Sequence, residues 1–464
     1  MRIQKLRVER LFGIFDHEIP MHVNERVTII HGPNGFGKTS ILKMVNGLFN
    51  ARYSELRSIP FNEFRVELED GRSIVVTKSG ADQNRLLRGP EDRRKRARDR
   101  HLVVRLLRGS KELEKTELGT VPSEEWEPGH FHMAFEQFVP GLIREGPATW
   151  TYIPTHEELD LEEVMERFAD LLPPSIGRPE RKKAEWLRDI QRSVKVRLIE
   201  SERLRRVVKP PRRAREYEGP PALEPSVAVH SGDLAKAIQN KLAEYAAVSQ
   251  SLDRTFPVRL VEKMQARLGE NQLASTELRS KLDQLEAKRA RLQEAGLLDK
   301  QQDPRFQVPE ELQETQRVLT VYVRDVEQKL SVFDDIATKI DLLKEIVNTR
   351  FSFKRMAIDK DKGFVFNTPD GQPLLPTHLS SGEQHMLVLF SELLFRVEPN
   401  SLIMIDEPEI SLHVTWQQQF LRDVQRVTEL ASFDVLIATH SPQIIHDRWD
   451  DLTVELQSPI EQTV

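Results

Sequence analysis

The feature that most constrains this chain is a glycine-rich loop set between a strand and a helix. Gly32-Pro33-Asn34-Gly35-Phe36-Gly37-Lys38-Thr39 follows the short apolar run Arg26-Val27-Thr28-Ile29-Ile30, and Ser40-Ile41-Leu42-Lys43-Met44-Val45 continues it in helical spacing. Such a loop cradles phosphate because consecutive backbone N–H groups point inward and a helix N-terminus lies behind them. Its glycines permit positive φ and close approach of the backbone. Lys38 would reach the β- and γ-phosphates, and the Thr39 hydroxyl would sit on Mg²⁺. The whole run from Gly32 to Ser40 is therefore expected to bind a nucleotide.

The complement of that loop stands at the other end of the chain. Leu402-Ile403-Met404-Ile405 is an apolar strand delivering Asp406 and Glu407, and Pro408-Glu409-Ile410-Ser411-Leu412-His413 follows. Asp406 would hold Mg²⁺ directly or through water, and Glu407 could orient and deprotonate an attacking water. Between the two ends, Leu379-Ser380-Ser381-Gly382-Glu383-Gln384 opens an apolar helical run (Met386, Leu387, Leu389, Phe390, Leu393, Leu394). By itself that segment also reads as a serine N-cap with a glutamate behind it. Val435-Leu436-Ile437-Ala438 is a further apolar strand, and Thr439-His440-Ser441 follows it.

All four segments in this order resemble the ABC-type ATPases of the RecF, OLD and SMC group. The continuation from Asp406 to His413 resembles most closely the bacterial proteins called AAA family ATPases, many of them subunits of anti-phage systems such as AriA of PARIS and PtuA of Septu. The resemblance implies an α/β ATPase head, a mixed sheet with flanking helices, assembled from N- and C-terminal halves around an inserted helical arm. It implies that Ser380, Ser381, Gly382 and Glu383 form the signature loop, with Ser381 in place of the usual first glycine. That loop would complete the site of a neighbouring molecule. It makes His440 the switch histidine that bonds the γ-phosphate, and it implies ATP and Mg²⁺ as ligands. Relatives also carry a glutamine loop. The candidate here, Val196 to Leu204, has Glu202 where glutamine is expected, and Gln137 is a second candidate.

Composition narrows the rest. The 464 residues can bury a substantial core. No cysteine is present, which excludes disulfides, cysteine zinc sites and a cysteine nucleophile, and points to a cytoplasmic setting. No apolar run approaches the ~18 residues of a membrane span, so no membrane partner is expected. The amphipathic strand pattern from Met1 to Val8 leaves no room for a signal peptide. The net charge of −5 is the small difference between 68 basic and 73 acidic residues, so its distribution matters more than its sum.

Three regions follow from pattern: 1–232 as the first half of the head, 233–350 as the helical arm, and 351–464 as the second half. Phe64 to Leu68 and Ser73 to Thr77 flank Asp70-Gly71, a hairpin signal. A basic run between about 82 and 115 includes Arg93, Arg94, Lys95 and Arg96; a second, from Arg203 to Arg215, is broken by Pro210-Pro211 and reads as an exposed loop. Either run is a candidate for sequence-independent phosphate contact with nucleic acid, or is simply a solvated face. In the arm, Leu278, Leu282, Leu285 and Leu292 form one apolar seam. A heptad runs from Leu312 through Leu319, Val326, Phe333, Ile340 and Val347, with Val323, Leu330, Ile336 and Leu343 as its partner positions. About 38 residues of continuous helix would span roughly 55–60 Å. An antiparallel hairpin and a compact bundle both satisfy this pattern. Gly363 to Phe366 reads as a strand, with a turn at Pro369-Asp370-Gly371.

These readings converge on an ATPase that closes on ATP between the protomers of at least a dimer. As a member of the defence group it would sense DNA or a phage protein and regulate a separate effector, a nuclease of toprim or HNH type. His440 stands 24 residues from the end of the given chain, which leaves no room for a nuclease domain there. Two alternatives stay open: a RecF-like DNA repair ATPase, and a scaffold that binds ATP without turnover.

Overall fold

The computed structural model describes residues 1–79, 101–118, 135, 138–146, 149–153, 157–168, 184–200, 204–208, 222–265, 273–299, 316–445 and 449–456. Arg93, Arg94, Lys95, Arg96, Gln137 and Glu202 lie outside the described residues. Contacts divide the chain into two units. One joins Met1–Ser226 to Arg396–Val464; the other is Val227–Phe395.

The first unit is built on a parallel sheet that interleaves the two ends of the chain. Its strands are β3 (Val27–His31), β11 (Val196–Ile199), β17 (Leu402–Asp406), β18 (Asp434–Thr439) and β19 (Thr453–Glu455), in the spatial order β11-β17-β18-β3-β19. All four pairings are parallel. Every residue of β18 is buried, as are the first four of β3 and of β17. Parallel strands covered on both faces need continuous apolar runs, which is why these three read so plainly in sequence. Arg2 closes the two ends further, its Nε donating to Asp434 at 2.7 Å.

A second sheet is wholly antiparallel, ordered β2-β1-β4-β5-β6-β7. It comprises β1 (Ile3–Leu11), β2 (Phe15–Pro20), β4 (Glu63–Leu68), β5 (Arg72–Ser79), β6 (His101–Arg108) and β7 (Lys111–Leu118). The hairpin at Asp70-Gly71 forms as expected, with Gly71 at φ 79°. The α/β class is thus present, its parallel and antiparallel strands carried in separate sheets. Helix α1 (Lys38–Phe49) presents Ile41, Leu42, Val45 and Leu48 to one core that also holds Leu6, Val8, Phe64 and Ile74 of the antiparallel sheet and Ile30, Met404 and Leu436 of the parallel one. Short helix α2 (Tyr53–Ser58) adds the buried Tyr53 and Leu56.

A small lobe follows with its own core. Strands β8 (Leu142–Arg144), β9 (Thr149–Tyr152) and β10 (Glu157–Asp160) pair antiparallel, and helix α3 (Leu161–Arg167) covers them. Phe135, Leu142, Trp150, Tyr152, Leu159, Val164 and Phe168 pack together there. Helix α3 starts in a capping box: Asp160 accepts from the Glu163 N–H while Glu163 accepts from the Asp160 N–H. Helix α4 (Glu185–Ser193) then leads to β11. Of the second basic run, residues 203 and 209–215 lie outside the described residues, and four of the rest form a strand rather than the expected loop. Arg205–Val208 form β12, which pairs antiparallel with β13 (Ala222–Pro225).

The second unit holds the longest helix and is mainly helical. Helix α5 (Ser226–Gln265) runs for 40 residues, followed by α6 (Ser275–Glu294), α7 (Gln316–Ser331) and α8 (Asp334–Arg350). Leu312 lies outside the described residues; the other members of both apolar seams are buried as their spacing demands. The expected continuous heptad helix is not found. It breaks between Ser331 and Asp334, where Phe333, fully buried, precedes α8 and its N–H bonds the Leu330 carbonyl at 3.2 Å. Asp334 and Asp335 then occupy the new first turn, where carboxylates favour a helix start. Ion pairs set the directions. Arg259 to Asp325 and Asp253 to Lys329 make α5 antiparallel to α7, whereas Lys281 to Glu327 and Arg291 to Asp341 make α6 parallel to α7 and α8. A meander of β14 (Arg355–Asp359), β15 (Gly363–Asn367) and β16 (Pro373–Leu374) leads into α9 (Ser381–Phe395).

Candidate nucleotide site

The loop between β3 and α1 takes the shape that its glycines allow. Gly35 and Gly37 both sit at φ +87°, and a Cβ on Gly37 would fall 2.4 Å from the Leu11 side chain. Any larger residue there would meet both backbone strain and a clash. The Phe36 carbonyl lies 3.0 Å from His17 Nε2, and the Phe36 ring packs on Phe15. Lys38 is 5% exposed, and its ammonium donates to the carbonyls of Gly32 at 2.7 Å and Pro33 at 3.0 Å. Burial lowers the Lys38 pKa, against the opposing pull of Glu407, Glu409 and Asp406.

The fold brings the C-terminal carboxylates to this loop. Thr39 Oγ1 donates to Asp406 Oδ1 at 3.1 Å, across 367 positions of sequence. Burial pushes the Asp406 carboxyl up to about 6, with Thr39's hydrogen bond opposing and neighbouring Glu407 adding to the rise. Glu407 stands in the left-handed region at φ 43°, ψ 58°, held by its N–H bond to the Ala438 carbonyl at 2.8 Å and by Pro408 behind it. A non-glycine residue there stores strain, and such positions persist where surrounding structure over-determines them. His440, just past β18, places Nδ1 3.9 Å from Glu407 Oε1 and 3.0 Å from Glu409 Oε1. Lys38, Thr39, Asp406, Glu407 and His440 therefore form one group within the first unit.

Glu409 is the participant that motif reading passed over. It is 8% exposed, and its Oε1 accepts from Thr439 Oγ1 at 2.7 Å and from the His440 N–H at 2.8 Å. Only its place in an acidic stretch signalled it in sequence, because its partners lie some 30 positions away. Gln417 backs the same turn, donating to the carbonyls of Glu409 and Leu412 and accepting from Ser441 Oγ.

Ser380, Ser381, Gly382 and Glu383 lie in the second unit. Ser380 donates through both its N–H and its hydroxyl to Glu383 Oε2, each at 2.8 Å, and Lys354 Nζ sits 2.7 Å from the same oxygen. Burial of Glu383 raises its pKa, but the bonds from Lys354 and Ser380 outweigh it and hold the carboxyl below its usual range. The serine cap with a glutamate behind it is thus formed, and Ser381 is the first residue of α9.

The donor set suits magnesium held chiefly by phosphate and water. The Thr39 hydroxyl, at the start of α1, and the Asp406 carboxylate, at the end of β17, are hard oxygen donors brought side by side. No group of three or more histidines and carboxylates suited to a metal occurs among the described residues. Nor, among those residues, is any helix long and apolar enough to cross a membrane.

Residues 183–446 match the model of a family described as "AAA domain, putative AbiEii toxin, Type IV TA system". Protein ea59 of Escherichia phage lambda is 29% identical over 108 residues, covering 23% of this chain. The chain thus spans 20% of that relative's length. Among solved structures, the SMC head domain from Thermotoga maritima aligns with a TM-score of 0.33 at 12% identity, covering 99% of this chain and 100% of that one. The Smc head domain with an extended coiled coil bound to the C-terminal domain of ScpA, from Pyrococcus furiosus, aligns at 0.28 and 10% identity, covering 96% and 91%.

Proposed function

The chain belongs to this AAA-domain family, its model matching more than half of the sequence, and from that premise we propose that it binds and hydrolyses Mg·ATP at the group around Lys38. The observation that carries the reading is the Thr39–Asp406 hydrogen bond, which unites the phosphate loop with the carboxylate strand. The N–H groups of Gly35 to Thr39 and the Lys38 ammonium hold the β- and γ-phosphates; Thr39 and Asp406 hold the magnesium. When bound, that ion supplies charge neutralisation at the phosphates. Glu407 orients the attacking water and takes its proton, and His440 donates to the γ-phosphate.

The reading extends to assembly and role. Ser380, Ser381, Gly382 and Glu383 at the start of α9 close over the nucleotide of a second protomer, so that two sites need at least a homodimer. ATP favours the closed pair and hydrolysis releases it. In the cell this cycle governs a separate effector, a nuclease of toprim or HNH type, in cytoplasmic anti-phage defence of the PARIS or Septu kind, with DNA or a phage protein as trigger. The family description, which speaks of a toxin, supports a tie to a toxic activity. Arg93, Arg94, Lys95 and Arg96 are the candidates for contact with a DNA trigger.

The test is steady-state turnover. Glu407→Gln should bind ATP as the wild type does and hydrolyse it at least ~100-fold more slowly. Undiminished turnover in that variant would remove Glu407 from the reaction. Absence of Mg·ATP hydrolysis by the wild-type chain, alone and with its co-purifying partners, would leave the scaffold reading in its place.

A further inference from the structure

Glu409 is a buried carboxylate that the hydrolytic step just described does not use. Its Oε1 gathers three groups from the end of β18: the Thr439 hydroxyl at 2.7 Å, the His440 N–H at 2.8 Å and His440 Nδ1 at 3.0 Å. Its other oxygen, Oε2, is buried with no hydrogen-bond partner among the described residues. A carboxylate taken out of water loses more than incomplete pairing returns, so its presence is weak evidence for a stabilising role. What the arrangement does accomplish is geometric. It bonds the His440 backbone N–H and sets a carboxylate oxygen 3.0 Å from the ring nitrogen, from the turn that directly follows Asp406 and Glu407. Apart from Glu407 Oε1 at 3.9 Å, no other carboxylate pairs with this ring among the described residues, and 43% of the His440 side chain is exposed.

We propose that Glu409 is a positioning residue for turnover: it holds the His440 ring at the nucleotide, and it does so as a hydrogen-bond acceptor. The inference rests on the assignment of His440 to the reaction, and its variants are chosen to separate the two ideas. Glutamine keeps an acceptor oxygen where Oε1 stands, and its amide replaces the oxygen that has no partner. Methionine keeps the length and removes the acceptor. Thr439→Val removes the hydroxyl that orients the carboxylate while preserving shape.

Glu409→Met should lower kcat by roughly 30-fold or more with the KM for ATP within about threefold. Thr439→Val should lower kcat by roughly three- to tenfold, and Glu409→Gln should stay within about threefold of wild type. In a His440→Ala background, each of these substitutions should cost no more than about twofold further, because the group they position is gone. A structural role would instead lower the melting temperature and reduce turnover equally in both backgrounds. The inference is overturned if Glu409→Met retains wild-type kcat, if its loss persists undiminished in the His440→Ala background, or if Glu409→Gln is as impaired as Glu409→Met. Should Glu409→Met fail to fold, Thr439→Val in the two backgrounds decides by the same criterion. Full activity in His440→Ala alone would refute the role of the histidine and the positioning role with it, while leaving the Glu407 assignment intact.

Discussion

The ammonium of Lys38 lies 2.7 Å from the carbonyl oxygen of Gly32, so the loop's own backbone occupies the lysine that a phosphate would claim. The ammonium already makes these bonds charge-assisted, and a phosphate adds the opposite charge on the acceptor, which a neutral carbonyl does not. Lys38→Ala should weaken ATP binding by at least ~100-fold, measured by titrating a fluorescent ATP analogue. Binding within threefold of wild type would show that the lysine serves its own loop alone.

Much of this was legible in sequence because the signals are local. The runs ending in Ile30, Ile405 and Ala438 are continuous and apolar because β3, β17 and β18 are buried on both faces, and the residues after them fall at one end of the sheet. The lobe around Trp150 was not legible. Its core comes from short segments in which no period can be counted, and they meet only through tertiary packing. The break at Phe333 also escaped, since the heptad continues across it unchanged and only the backbone turns. Glu409 stands in plain view in the acidic stretch, yet its meaning lies in Thr439 and His440, which pairing of β17 with β18 brings alongside.

The lobe is joined to the P-loop helix by charge. Lys43 of α1 meets Glu157 at 3.0 Å, Arg167 bridges Glu157 and Glu200, and Ser54 donates through its hydroxyl to Glu166 at 2.6 Å. These groups surround a cavity of about 250 Å³. Burial pushes Glu157 up, but Arg167 and Lys43 outweigh it and bring the carboxyl down to about 2. Removing one member of this half-buried network costs about 1–3 kcal/mol, between the cost of an exposed pair and that of a fully buried one. Arg167→Met should therefore loosen the lobe first. Hydrogen exchange should rise across 149–168 before it rises in β3 or β17. Uniform exchange in both would mean that the lobe does not open as a unit.

Glu163 predicts a pH dependence of opposite sign to that of a paired carboxylate. Burial, with Asp160 adding to it, pushes Glu163 up to about 7 from an ordinary 4.5. Between those values the folded state holds a proton that the unfolded state has released, so stability falls as pH rises through this window. Above about 7 the ionised carboxylate is carried at its full cost, and below about 4.5 the effect is absent. Glutamine can still accept the Asp160 N–H bond. Glu163→Gln should thus stabilise the first unit at pH 8 by about 2 kcal/mol and leave it unchanged near pH 4.5. Urea denaturation of both proteins at the two pH values measures this. Equal stability at pH 8 would show that the carboxylate is adequately solvated.

Ser380 supplies the prediction that separates a shared site from a self-contained one. Its hydroxyl and N–H both bond Glu383, so the start of α9 is shaped by its own side chains. Ser380→Arg adds bulk and charge there and removes the serine hydroxyl that caps the helix. It should leave ATP binding by the phosphate loop intact and abolish turnover. Lys38→Ala should also lack turnover, for the opposite reason, with its α9 start unaltered. If the two surfaces meet across a dimer, an equal mixture of the inactive proteins should recover activity. Half of randomly re-formed dimers are then mixed, each with one complete site of two, so recovery should reach about a quarter of the wild-type rate. No recovery at any mixing ratio, after dissociation and reassembly have been verified by sedimentation, would mean that each protomer's site does not draw on the partner's α9.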